Sequence, residues 1–143
     1  MRFGTAICRA VLVLALLGVG RMVTAAEATT SSATTQAVAA KKIALKDFEL
    51  MREKDDAVVL DVRTPREFAA GHVPGAVNID WHARDFADQV AKLDKSKKYL
   101  VHCQGGVRSA AAVKRMGTMG FGELFDYSGG FLDYSKAGKP IEK

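Results

Sequence analysis

YLVHCQGGVRS, residues 99–109, changes character twice within its length. Tyr99, Leu100, Val101 and His102 form a short, nearly continuous apolar run, the mark of a strand buried on both faces. Gln104 to Val107 then carries two adjacent glycines, which is loop chemistry. Arg108 and Ser109 open an Ala-rich stretch that runs as a helix to Met119 and is closed by Gly120. Strand, tight loop and helix in that order make the repeating unit of an α/β sheet. Cys103 stands at the junction, where the strand ends and the loop begins.

The same alternation extends in both directions. Upstream, Ala57-Val58-Val59-Leu60 reads as a buried strand, and Pro65 to Phe68 as a short helix with Thr64 as N-cap and Pro65 at its first position. Gly71 and Pro74-Gly75 punctuate the chain before a strand over Ala76 to Ile79. A helix covers Phe86 to Leu93, and Leu45, Phe48, Leu50 and Met51 recur at helical spacing near the start of the domain. Downstream, Gly122 to Tyr127 is a further strand, and Phe131 to Ala137 a last helix. Such alternation implies a parallel sheet with helices on both faces. Ligands of such sheets bind beyond the carboxyl ends of the strands. Asp61-Val62-Arg63 and Cys103 onward occupy two such ends.

The chemistry of the 99–109 stretch follows from its residue types. Glycines allow positive φ, so consecutive N–H groups can turn inward as an anion-binding nest. A helix start adds unsatisfied N–H groups and the positive end of its dipole. A thiol held there is stabilised as thiolate, which suits a nucleophilic sulfur and an anionic substrate. Arg108 supplies a permanent positive charge at the rim, and Ser109 can donate or accept a hydrogen bond.

Composition bounds the rest. The 143 residues are 48% hydrophobic and 26% charged, an ordinary globular balance with room for one domain. Residues 1–26 stand apart: Arg2 and Arg9, an apolar run from Ala10 to Gly20, then Arg21 and small residues up to Ala25 and Ala26. The run is too short to span a membrane, which takes about 20 residues. It reads as a signal peptide cut near Ala25/Ala26, so the expected location is periplasmic or secreted, with no stable membrane anchor. Residues 27–40, EATTSSATTQAVAA, read as a flexible Ala/Thr/Ser-rich linker. The folded domain is expected over 41–143.

The net charge of +5 shrinks on removal of that segment. Three of the 21 basic residues lie there and no acidic one, leaving 18 against 16, or +2. That weakens a nucleic-acid reading, and no nucleic-acid partner is expected. Of the two cysteines only Cys103 remains, so no internal disulfide can form. His72, His82 and His102 are not at ligand spacing and no metal is expected.

Three stretches together resemble the single-domain rhodanese (thiosulfate sulfurtransferase-like) family: LDVRTPREFAAGHVPGAVNI (60–79), VHCQGGVRSA (101–110) and YSGGFLDYSKAGKP (127–140). The resemblance implies a central five-stranded parallel sheet with helices on both faces. It implies a sulfurtransferase that moves a sulfane sulfur from thiosulfate or a similar donor to cyanide or a thiol, with no cofactor and as a monomer. Cys103 would carry the sulfur as a persulfide, and Gln104, Gly105, Gly106, Val107, Arg108 and Ser109 would hold it. Asp61 and Arg63 match a family pair and would buttress the loop or extend its positive rim; a purely structural ion pair is the alternative. His72 and Pro74-Gly75 match a structural turn. Two other functions compete. One is a sulfur-carrier module serving a protein partner. The other is a cysteine-dependent phosphatase, whose loop needs one residue more between Cys and Arg than the four found here.

Overall fold

The computed structural model describes residues 40–54 and 56–143. The signal peptide read over 1–26, and the linker as far as residue 39, lie outside them. Among the described residues five strands and five helices alternate: β1 (Lys41–Ile43), α1 (Leu45–Lys54), β2 (Ala57–Asp61), α2 (Pro65–Ala70), β3 (Val77–Asn78), α3 (Phe86–Ala91), β4 (Lys98–His102), α4 (Val107–Thr118), β5 (Glu123–Tyr127) and α5 (Gly130–Lys136). The strands form one sheet in the order β1-β5-β4-β2-β3, and every pairing is parallel. β4 is therefore the middle strand, and Cys103 leaves the sheet from its centre.

Alternation along the strands divides the core in two. Leu60, Tyr99, Val101 and Leu124 face one way and meet Phe86 and Val90 of α3 and Ala112, Val113 and Met116 of α4. Val59, Leu100 and Tyr127 face the other way and meet Phe48 of α1 and Tyr134 of α5. The Phe48 ring stacks on Tyr127 with centroids 4.5 Å apart. The helix faces follow from spacing: Ser109, Ala112, Val113 and Met116, all buried, fall on one stripe of α4.

α2 is only six residues long and buries none of them fully, so it needs help from its cap. Thr64 supplies it: its hydroxyl accepts from the Glu67 N–H at 3.3 Å, and the Glu67 carboxylate accepts from the Thr64 N–H at 3.0 Å. This is a reciprocal capping box, with Pro65 where its missing N–H costs nothing.

Most element ends shift by a residue or two from the sequence reading, and three elements show why. β1 was not legible, because KKI offers neither length nor apolar pattern; it is a strand through its register with Phe125, Asp126 and Tyr127 of β5. The edge strand β3 keeps only Val77 and Asn78, paired with Leu60 and Asp61. α4 opens at Val107, ahead of Arg108, so both residues belong to its first turn.

Candidate active site

Cys103 sits where β4 gives way to α4, 1% exposed. Its sulfur accepts the Gly106 N–H at 3.1 Å. Gly106 is also the N-cap of α4, at φ +90°, with no side chain to cap the helix. The orphan N–H groups of that helix start are thereby left to the sulfur. No other residue fits there, since a Cβ at Gly106 would stand 2.4 Å from the Ser128 carbonyl oxygen. The sequence reading gave positive φ to both glycines. Only Gly106 uses it; Gly105 is not among the positive-φ positions and has open space around it.

Burial pushes the Cys103 thiol up. Donation from the N–H groups of Ser109, Gly105 and Gly106 and from the Ser109 hydroxyl outweighs it, and the thiol lies below its ordinary value. These donors favour the thiolate form of the sulfur, the form in which a cysteine acts as a nucleophile.

The loop is fixed from behind by the start of α5. Phe131 N–H donates to the Cys103 carbonyl at 2.8 Å, and Leu132 N–H to the Gln104 carbonyl at 3.1 Å. With the carbonyls tied outward, the N–H groups face the sulfur. The approach requires Gly130, at φ +64°, where a Cβ would lie 2.5 Å from the Cys103 oxygen.

The remaining expected residues fall into three places. The Val107 side chain is 83% exposed, so this residue offers its backbone alone. The Gln104 side chain turns away to accept from Arg63 Nη1 at 3.3 Å. Ser109 is buried, its Oγ 3.1 Å from the Gly106 carbonyl and 2.7 Å from Asp126 Oδ1.

Asp61 and Arg63 form a buried pair at the end of β2, at 0% and 2% exposure. Arg63 Nη2 meets Asp61 Oδ2 at 2.7 Å, and its Nε lies within 3.1 Å of both carboxylate oxygens. The same guanidinium donates to the Gly71 carbonyl and lies 4.0 Å over the Phe131 ring. This is the geometry of a brace joining β2, the loop, the α2 turn and α5. His102, fully buried, has its Nε2 3.8 Å from Asp61 Oδ2 and no hydrogen bond at that nitrogen. Burial pushes its pKa down, so the ring is neutral there.

Arg108 is at the rim, but it is not a free cation. Both Nη atoms reach the two Glu67 oxygens at 2.8 Å. The hydrogen bond to Glu67 raises its pKa, and the Cys103 sulfur adds to the rise. Arg108 in turn holds the Glu67 carboxyl well below the usual carboxylate range. Arg63 and Arg108 are thus each matched by a carboxylate. Glu67 was missed as a site residue, although T-x-x-E at 64–67 announced the capping box; nothing local shows that the same carboxylate takes Arg108, 41 residues away.

A cavity of about 400 Å³ opens beside this loop, lined by Arg63, Glu67, Ala70, Gly71, Gln104 and Phe131. A larger hollow of about 560 Å³ lies against α1, lined by Leu45, Lys46, Glu49, Leu50, Glu53 and Lys139, and Cys103 is not part of its lining. Among the described residues no three His, Cys, Asp or Glu side chains are grouped to hold a metal ion.

Comparison with known proteins places the chain by family and fold. The sequence model of the Rhodanese-like domain matches residues 44–137. The thiosulfate sulfurtransferase GlpE of Pseudomonas putida is 38% identical over 81 residues, covering 57% of this chain and 72% of that one. The tRNA uridine(34) hydroxylase of Cytophaga hutchinsonii is 36% identical over 97 residues, 66% of this chain but only 31% of that protein. The crystal structure of a rhodanese-related protein from Thermoplasma volcanium superposes with a TM-score of 0.63 at 29% identity, over 71% of this chain and 97% of that one.

Proposed function

This chain belongs to the Rhodanese-like domain family, and from that premise we propose that it is a sulfurtransferase working through a persulfide on Cys103, with thiosulfate or a similar sulfane compound as donor. One observation carries the reading: a buried sulfur at the carboxyl end of the middle strand, receiving the Gly106 N–H at 3.1 Å at the start of α4.

The chemistry needs no oxidant and no cofactor. The Cys103 thiolate attacks the outer sulfur of thiosulfate. A new S–S bond forms as the old one breaks, and sulfite leaves with the electron pair. The terminal sulfur of the resulting persulfide carries the negative charge, which the loop N–H groups and the α4 dipole stabilise. Cyanide or a thiolate then attacks that terminal sulfur, and Cys103 leaves as thiolate. Arg63 and Asp61 hold the loop that presents the donors. Gln104 to Ser109 contribute backbone and, at Arg108 and Ser109, side-chain polarity.

The matched charges at Arg63 and Arg108 favour a second donor class beside thiosulfate. A dianion gains little from cations that carboxylates already occupy, so an organic persulfide of lower charge competes well here. A protein partner delivering such a persulfide is the carrier form of the same reading.

Mass spectrometry of the purified protein before and after thiosulfate tests the proposal. The expected result is a gain of about 32 Da on Cys103, removed by cyanide with release of thiocyanate and absent in Cys103→Ser. A free, alkylatable Cys103 that gains no mass from thiosulfate or from a small persulfide would overturn it.

A further inference from the structure

Asp126 is an acid in the middle of a buried strand, 2% exposed, and the mechanism above does not use it. Its Oδ1 lies 2.7 Å from Ser109 Oγ. The same hydroxyl lies 3.1 Å from the carbonyl of Gly106, whose own N–H donates to the Cys103 sulfur, and donation from this hydroxyl helps to lower the Cys103 thiol. A serine hydroxyl has one proton to give. Three acceptors therefore compete for it, one of them the nucleophile.

We propose that Asp126 is a positioning residue for Cys103: its carboxyl group decides which way the Ser109 hydroxyl donates, and so whether the sulfur gains or loses a hydrogen bond. An ionised Asp126 takes the proton, because the charged acceptor is the stronger and the contact is short. Ser109 then turns a lone pair toward the sulfur. A protonated Asp126 donates to Ser109 Oγ instead, and the hydroxyl proton is released to the thiolate. The charge of Cys103 and the charge of Asp126 are thus linked through one rotatable hydrogen.

The surroundings keep this link intact. Asp126 lies on β5 between Lys42 of β1 and Val101 of β4 in register. Ser109 faces it from α4. The charged or titratable groups in play are Lys42, which is exposed, and Cys103 beyond Ser109. Burial raises the Asp126 carboxyl, against Ser109 and Lys42, which lower it. Its proton is therefore held to higher pH than that of a surface aspartate.

This inference rests on Cys103 as the reactive sulfur, and its test is independent of sulfur transfer. The readout is the pH dependence of Cys103 alkylation by iodoacetamide. In Asp126→Asn the carboxamide N–H donates to Ser109 Oγ at every pH, and the hydroxyl is left to the sulfur. The alkylation midpoint should fall by about one pH unit, the scale of one hydrogen bond to a charged acceptor. In a Ser109→Ala background the same substitution should move the midpoint little, since the link is gone. If Asp126→Asn does not fold, Asp126→Ser supplies a smaller hydroxyl donor and should shift the midpoint in the same direction. An unchanged or higher midpoint in a folded Asp126 variant overturns the proposal. So does an equal fall with and without Ser109, which would mean that Asp126 acts through space alone. A protein that shows the expected shift yet accepts no sulfur would leave this link standing and refute the sulfurtransferase reading.

Discussion

Replacing Gly130 by alanine should loosen the sulfur-holding loop at a point the sulfur never touches. Two costs add. Gly130 lies at φ +64°, where a Cβ costs about 1–2 kcal/mol. The new methyl would also stand 2.5 Å from the Cys103 carbonyl oxygen and 2.7 Å from that of Gln104. Both neighbours are backbone, so relief requires the loop itself to move, at a further cost of about 1–3 kcal/mol, as for overpacking. The total of about 2–5 kcal/mol would lower the melting temperature of a domain this size by at least about 8 °C. Gly138→Ala is the control. It shares the backbone condition at φ +67° but has no atom within 4 Å of the built Cβ, so it should show the conformational cost alone. The assay is thermal denaturation followed by circular dichroism, paired with the rate of Cys103 alkylation. Gly130→Ala should melt well below Gly138→Ala and alkylate more slowly, because tilting the Cys103 and Gln104 carbonyls turns the loop N–H groups away from the sulfur. Melting temperatures within about 2 °C of one another, with equal alkylation rates, would show that α5 does not clamp the loop.

Two further outcomes follow from the charges around the site. Glu67→Gln keeps an acceptor for the Thr64 N–H while unmasking Arg108, and should lower KM for thiosulfate about five- to thirty-fold, equivalent to about 1–2 kcal/mol for one charge-assisted contact; steady-state kinetics with thiosulfate and with an uncharged persulfide would show the effect confined to the anion, and equal effects on both would refute a charge-matching role. Stability should fall with acid from about pH 6.5 downward, because burial depresses the pKa of His102 in the fold and the unfolded chain binds the proton first. The Glu67 carboxyl, also depressed, adds a loss that begins near its ordinary value of 4.5. Urea titrations between pH 4 and 8 should show His102→Phe flatter than the parent between about pH 5 and 6.5, and parallel curves would mean that the ring charges without cost.

The readable parts of this fold are those whose signals are local. The run at Tyr99 to His102, the capping residues at Thr64 and Pro65, and the glycine at the start of α4 each act within a few residues of themselves, and each is found in its expected element. β1 was not readable for the opposite reason. Lys41 to Ile43 has no pattern of its own, and only the exposed edge of β5 makes it a strand. Asp126 left a faint trace, an acid inside the run Glu123 to Tyr127, but its partner Ser109 is 17 residues away on another element.

The sequence by itself determined the alternating α/β architecture, the place of Cys103 at the end of a strand and the glycine loop that leads from it into α4. These follow from backbone preferences and hydrogen bonds that close within one turn. Only the tertiary structure decided what the charged side chains do. Arg108 meets Glu67 and Arg63 meets Gln104 across 41 residues, and Asp61 lies 3.8 Å from His102 across the β2–β4 pairing. Whether an arginine binds substrate or a neighbouring carboxylate depends on which acceptor the fold brings within about 3 Å, and the parallel sheet sets that distance by delivering the ends of β2, β4 and β5 to one edge.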